Sequence, residues 1–378
     1  MSNTGVISMG VRCPIIRQGD NLVDIVIESV KKTLEENKMS LEDKDVIGIT
    51  ESVVARSQGN YVTVDDIVES ITEVAKEKAK GSKNVILYEP IMSRNRFAMI
   101  LKAFARYADH VIMVHGEDVD QQGNPTWKPN PFTGVDIEKY YAEICEAENC
   151  QFQHIHTLVD LLGSTINDKE PLFIIDAQCH PDKVLSTTLA SIMTKPVTRK
   201  DGTISGYNED WGLLGSNKAD EETLKLFPRK AEAQVLVERI QKEIYRKTGK
   251  TVEVMIYGDG CFHSPAIQGV LGSSINEFAD PCTTPAYTTG LEGTPNELKI
   301  KAFADGKFKH LTGNELESAI KGEIKDNIKD LKGDMTAQGT TPRRYTDLLA
   351  SLMDLSSGSG SKGTPVILVK NYFKNYAD

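Results

Sequence analysis

No stretch of the chain approaches the roughly 20 consecutive apolar residues a membrane helix needs, so no membrane partner is expected. Lysine and arginine gather into no block interleaved with aromatics, and the formal net charge is −10, which argues against nucleic acid as a main partner. The six cysteines (Cys13, Cys145, Cys150, Cys179, Cys261, Cys282) include no Cys-x-x-Cys pair. That usage suits reduced thiols better than a disulfide framework. The opening Met1-Ser-Asn-Thr-Gly carries neither a basic segment nor an apolar one, so no secretory signal is read there and a cytoplasmic location is expected. No segment repeats at a fixed period.

What remains is a globular composition, 39% hydrophobic and 26% charged, spread over 378 residues. One hydrophobic core rarely organises so long a chain, which predicts two domains or one domain with a large insertion. The chemistry converges on Thr251-Val-Glu-Val-Met-Ile-Tyr-Gly-Asp-Gly260. Val252, Val254 and Ile256 alternate at the strand period, and Gly258 and Gly260 then bracket Asp259. Such a strand delivers one carboxylate into a tight turn where no Cβ blocks a ligand or metal. Asp-Gly is also a common turn dipeptide, so the stretch alone leaves both readings open.

From the start of the chain, Val11–Gly19 is a short apolar element. Asp20 or Asn21 is placed to cap a helix with Leu22, Ile25, Val26 and Val30 on one face. Residues 44–50 read as a strand running into a polar-edged loop, 51–59, that carries Glu51, Ser52 and Arg56. α/β proteins commonly place ligand contacts in such loops. Residues 64–80 predict an amphipathic helix. Strands at 85–88, 110–115 and 172–176, helices at 95–107 and 137–149, and a loop at 116–134 give the region 84–182 a βα alternation of its own. His154 and His156 would share one face of a strand, with a surface position expected. Asp176, Cys179 and His180 match no standard zinc spacing.

Residues 198–206 read as the turn of a hairpin. Trp211-Gly-Leu-Leu-Gly-Ser-Asn217 is glycine-rich but lacks the Lys-Ser/Thr ending of a Walker loop. A helix over 232–248, with Val235, Ile240 and Tyr245 among its apolar positions, closes at Gly249. A long polar loop, 280–299, carries Asp280, Glu292 and Glu297, and loops of that length are usually either functional or disordered. Helices at 314–334, with a solvated charged face, and at 342–355, a flexible turn at 356–363 and a last strand at 364–370 complete the chain.

Four segments resemble the coenzyme F420-0:L-glutamate ligase (gamma-glutamyl ligase) family. Pro14-Ile-Ile-Arg-Gln-Gly-Asp-Asn-Leu is similar to the family's Pro-x-Ile-x-x-Gly-Asp-Asp-Leu opening. Asp45-Val-Ile-Gly-Ile-Thr-Glu-Ser-Val-Val-Ala-Arg resembles its Asp-Val, three hydrophobics, Thr-Ser-Lys-Val-Val-Ser-Lys. Gly212-Leu-Leu-Gly-Ser-Asn217, then a helix, then Val254–Asp259 resembles Gly-Ile-Asp-x-Ser-Asn, helix, Val-x-Ile-Ser-Asp-Thr. Gly363-Thr-Pro-Val resembles its closing Gly-x-Pro-Val strand. The resemblance implies an α+β (mixed α/β) fold of F420:gamma-glutamyl ligase type, with 1–83 and 196–378 forming the core and 84–195 an inserted α/β region.

It also implies a homodimer that uses GTP and Mg2+ or Mn2+ to join L-glutamate, through its α-amine, to the carboxylate of an acidic acceptor such as F420-0. Catalysis would fall to Asp259 and Arg56. Nucleotide contacts would fall to Pro14, Ile15, Ile16, Arg17, Glu51, Ser52, Arg56, Ser216, Asn217 and Gly260. Asp259 would be the first metal ligand. Leu214 stands where the family has an aspartate and Ser52 where it has a lysine, so either nearby acids such as Glu209, Asp210 or Asp280 complete the metal site or catalysis has changed or been lost. The alternative is a non-catalytic nucleotide- or metabolite-binding protein on the same scaffold. A third reading is a hydrolase using Asp259 and His263 on a bound metal, which needs no nucleotide.

Overall fold

The computed structural model describes residues 4–88, 97–114, 136–156, 172–175, 197–198, 204–205, 217–226, 228–258, 283–284, 291–292, 299–327, 343–358 and 360–378. Its central sheet takes strands from four distant parts of the chain. β1 (Ile7–Val11), β2 (Val46–Thr50), β12 (Glu253–Tyr257) and β15 (Val366–Lys370) lie in the order β1-β15-β2-β12. β2 and β12 run parallel with Thr50 opposite Tyr257, and β15 is antiparallel to both its neighbours.

All five residues of β12 are buried, because the sheet is covered on both faces. The predicted set Val252, Val254 and Ile256 joins the core of α1 (Leu22–Glu36) and α6 (Lys230–Thr248), while Met255 and Tyr257 pack with Leu349 and Met353 of α9 (Tyr345–Ser357). Alternate residues of one strand thus serve two apolar layers. α9 sits directly on the backbone of β2: a Cβ at Gly48 would lie 2.1 Å from the Met353 sulfur. At the other end of β2 the buried Asp45 meets Lys370 at 2.5 Å and also accepts the Glu42 N–H.

α1 buries Leu22, Val26 and Val30 as their spacing predicts, and Asn21 occupies the cap position. Its amide donates to Asp24 at 2.6 Å instead of accepting a helix N–H. α3 (Val64–Ala79) starts on a capping box, with Thr63 and Asp66 each accepting the other's backbone N–H. α6 closes at Gly249, whose φ of 70° few other residues adopt cheaply. Of the three apolar positions read on that helix only Ile240 is buried; Val235 and Tyr245 are 52% and 59% exposed. The buried stripe is Ala233, Val237, Ile240 and Ile244, spaced by four, three and four, and Val235 and Tyr245 fall off it.

A second sheet is wholly parallel, in the order β6-β5-β4-β7, from β4 (Asn84–Tyr88), β5 (His110–Val114), β6 (Gln151–Ile155) and β7 (Leu172–Ile175). With α4 (Phe97–Tyr107) and α5 (Ile137–Ala147) this is the α/β alternation read from the sequence. α4 is buried nearly all round, between its own sheet and α3. Its polar exceptions, Lys102 and Arg106, bind outward. Arg106 meets Asp65 of α3 at 2.9 Å, Glu148 after α5 at 2.8 Å and Glu222 at 2.8 Å, and Lys102 meets Glu222 at 2.5 Å.

A small antiparallel sheet, β10-β11-β3, joins β3 (Tyr61–Thr63), β10 (Asn217–Lys218) and β11 (Thr223–Lys225). The hairpin read at 198–206 is present as β8 (Val197–Thr198) and β9 (Ile204–Ser205), and β13 (Leu291–Glu292) pairs with β14 (Arg343–Arg344). α7 (Ile300–Asp305) and α8 (Gly313–Asn327) pack together through Phe303, Ile320 and Ile324, so the charged face of α8 has an apolar reverse. Within the turn at 356–363, residues 360–362 form a single 3-10 turn.

Among the described residues, two segments read as loops hold regular structure: β13 lies within 280–299, and a helix stands at the end of β2. Residues 51–57, expected as a loop, form the helix α2 (Glu51–Ser57), which starts directly from β2 with Thr50 as its extended cap. Val54 and Ala55 turn inward and are buried, and that apolar pair holds the segment as a helix. The loop read at 116–134 and the segment Asp176–Asp182 lie outside the described residues. The mixture of a mixed sheet, a parallel sheet and flanking helices makes the fold α+β.

Candidate functional site

Because β2 and β12 are parallel neighbours, their carboxyl ends open on the same edge of the sheet, the edge where α/β folds form ligand crevices. β2 runs into Glu51 and β12 into Gly258. Glu51 is 8% exposed, and its carboxyl group lies where a side chain on residue 258 would have to go: a Cβ there would be 2.2 Å from Glu51 Cδ. Gly258 therefore does more than permit a turn; it makes room for an acid from the neighbouring strand. Asp259, the next residue, lies outside the described residues, as do Asp210, Ser216, Gly260 and Asp280.

Three further groups gather around Glu51. Ser52 is one residue on in α2, and its hydroxyl is hydrogen-bonded by the Lys225 ammonium, which comes from β11. Burial is the main cause that pulls the Lys225 pKa down; the nearby Arg56 guanidinium adds to this and Glu51 opposes it. Arg56 itself is exposed and makes no ion pair among the described residues. Asn217 opens β10 at the register position opposite Lys225. Sequence reading named Glu51, Ser52, Arg56 and Asn217 but not Lys225. The available signal was its neighbours: Leu224 and Leu226 are both buried, so strand alternation turns Lys225 away from the core.

The Pro14–Arg17 segment packs beside the far end of α2, where the Gly19 N–H donates to the Ser57 carbonyl at 2.9 Å. Pro14, Ile15 and Arg17 are exposed, Ile15 to 80%. Ile16 is 3% exposed and belongs to the main core, so its side chain anchors the segment and leaves only its backbone for a ligand. A cavity of about 610 Å³ opens between the start of α1, the end of α2 and the start of α6, lined by Asp20, Gln58, Glu232, Val235 and Arg239 among others. It contains none of the residues proposed from sequence.

Other candidate groups take structural positions. The His154 side chain is 5% exposed, contrary to the surface position expected for it, because β6 is packed under α5, and its Nδ1 lies 3.9 Å from Glu138. Its ring meets His156 edge-on at 4.7 Å. Cys13, Cys145 and Cys150 are free thiols. Among the described residues no group of three or more His, Cys, Asp or Glu side chains is arranged to hold a metal ion. No helix among them is long and apolar enough to cross a membrane.

No curated protein matches the chain. A family match, in contrast, spans residues 10–371 and so takes in β2, β12 and β15 of the central sheet, the Glu51–Lys225–Gly258 cluster and the parallel sheet alike. The chain belongs to the F420-0:Gamma-glutamyl ligase family.

Proposed function

We propose that the protein is a GTP- and divalent-metal-dependent ligase that forms an amide between the α-amine of L-glutamate and a carboxylate of an acidic acceptor such as F420-0. The observation that carries the reading is the close approach of Glu51 to Gly258, which brings the end of β2, with Ser52 and Arg56, to the end of β12, the strand that Asp259 follows in sequence. A buried carboxylate beside an ammonium, a guanidinium and a hydroxyl suits an anionic, metal-bound ligand. Oxygen donors of this kind fit a hard cation such as Mg2+ or Mn2+. In this reading Asp259, with Asp210 and Asp280, holds the metal, which supplies charge neutralisation at the transferred phosphate.

Arg56 faces the negative charge that develops during transfer, and Asp259 and Arg56 are the catalytic pair. Ser52, Asn217, Ser216, Gly260 and the backbone of Pro14–Arg17 orient the nucleotide, and Glu51 reaches it through a hydroxyl, an amine or the shared cation. Residues 84–195 are read as an insertion into a core made of 1–83 and 196–378. In support, the parallel sheet is built from within that range, and the central sheet is built from either side of it. A homodimer in the cytoplasm completes the proposal.

Calorimetric titration of GTP and ATP, with Mg2+ or Mn2+, into wild type and Asp259→Asn tests the reading. Metal-dependent GTP binding that the variant loses, followed by glutamate-dependent turnover with F420-0, is the expected result. Binding without turnover on any acceptor would favour the non-catalytic alternative. Absence of binding by either nucleotide would overturn the ligase reading.

A further inference from the structure

The Lys225 ammonium is an unusual group in this fold. It sits on a three-residue strand whose flanking leucines are both buried, and it is itself largely shielded from water. Among the described residues its hydrogen-bond partner is a neutral hydroxyl, that of Ser52, and no carboxylate lies within ion-pair distance of it. Most other lysines with a bond in this structure meet a carboxylate, as Lys102, Lys321 and Lys370 do. A second cation, Arg56, stands close enough to press on it electrostatically, and it too forms no ion pair among the described residues. Among the described residues these two cations share one acidic neighbour, Glu51, and a shielded ammonium that makes no ion pair is favoured when an anion meets it.

We propose that Lys225, with Ser52 and Arg56, forms a subsite for a phosphate group of the nucleotide, Lys225 contacting the phosphate oxygens directly. The inference rests on the nucleotide-dependent reading above and adds to it a residue from β11. The register supports the placement: Lys225 stands opposite Asn217, so β10 and β11 contribute to the same edge as α2. An ammonium presents a point charge with three rotatable donors, which suits it to bridge a phosphate oxygen and the Ser52 hydroxyl at once.

The test is equilibrium binding of GTP and of inorganic tripolyphosphate, each with Mg2+, to wild type, Lys225→Met and Lys225→Arg. Methionine keeps the apolar stem and removes the charge, and losing a charge-assisted bond should weaken both ligands about ten- to a hundredfold. Guanosine binding should not change, and Lys225→Arg should retain most of the affinity. A second measurement needs no variant: saturating tripolyphosphate should slow reductive methylation of Lys225 in the wild type, read by peptide mass spectrometry. Equal affinity of wild type and Lys225→Met for both ligands, or methylation indifferent to tripolyphosphate, overturns the subsite and leaves the GTP reading standing. Lys225-dependent binding of tripolyphosphate without binding of GTP keeps the subsite and removes the GTP reading. Wild type that binds neither overturns both.

Discussion

Glu253 allows a quantitative test of how β12 is held. The residue is 7% exposed, and its Oε2 accepts the Thr284 hydroxyl and, at 3.3 Å, the Gln241 amide. Burial raises its pKa from an ordinary 4.5 to about 7, with the Gln241 hydrogen bond working weakly the other way. The folded state therefore favours the protonated acid. The resulting stability is fully present below pH 4.5 and is lost as the pH rises through 7. A difference of 7 less 4.5 is 2.5 units, which corresponds to about 3 kcal/mol in all, with roughly 2.5 kcal/mol of it falling between pH 5 and pH 8. Glu253→Gln keeps the shape and the acceptor oxygen but cannot ionise. Urea unfolding of wild type and variant at pH 5, 6, 7 and 8 should give a stability difference that shifts in favour of the variant by about that amount as the pH rises. A difference independent of pH would show that Glu253 does not titrate in this range, and the reasoning from burial would be wrong.

Two further outcomes follow from close contacts. Asp45→Ala leaves Lys370 buried without its partner and should cost about 3–5 kcal/mol in denaturant unfolding, whereas the double replacement Asp45→Leu, Lys370→Met should recover most of it, since the pair as a whole contributes little. Gly258→Ala forces the Glu51 carboxyl group aside and also puts a side chain on a backbone with φ 155°, and should destabilise by about 1–3 kcal/mol. Adding Glu51→Ala removes the clash but not the backbone strain, so it should recover part of the lost melting temperature while ligase turnover stays low; recovery of turnover as well would mean that Glu51 has no part in the site.

The parts of the fold written in local periodicity could be read directly. The Leu22, Val26 and Val30 stripe, the buried β4 and β5 runs and the Gly249 stop signal each depend on residues a few places apart. α2 was missed because Glu51, Ser52 and Arg56 give it a polar outline, while the two residues that turn inward, Val54 and Ala55, are too few to make a pattern. The wrong face assigned to α6 has a similar cause: Val235 and Tyr245 are apolar but sit off the stripe that meets the sheet. In the candidate site, Glu51 and Ser52 were marked by motif, but the contacts that define their surroundings cross more than 170 residues, Ser52 to Lys225 and Glu51 to Gly258. No window along the chain contains those pairs. They arise from the parallel pairing of β2 with β12 and from the small sheet that carries β11.

The position of β15 sets the order in which the molecule can be assembled. It is an interior strand of the central sheet, between β1 and β2, yet it spans residues 366–370. During synthesis, β1 and β2 emerge more than 300 residues before the strand that joins them, and closing loops of that length is slow relative to local folding. The parallel sheet over residues 84–175 has no such dependence and can form while the rest of the chain is still being made. The sheet whose edge carries the ends of β2 and β12 is thus complete only once residues 366–370 have been made. A chain that stops before residue 366 would lose the middle of its sheet, and until that strand is made a nascent chain presents two unpaired strand edges, those of β1 and β2, to chaperones.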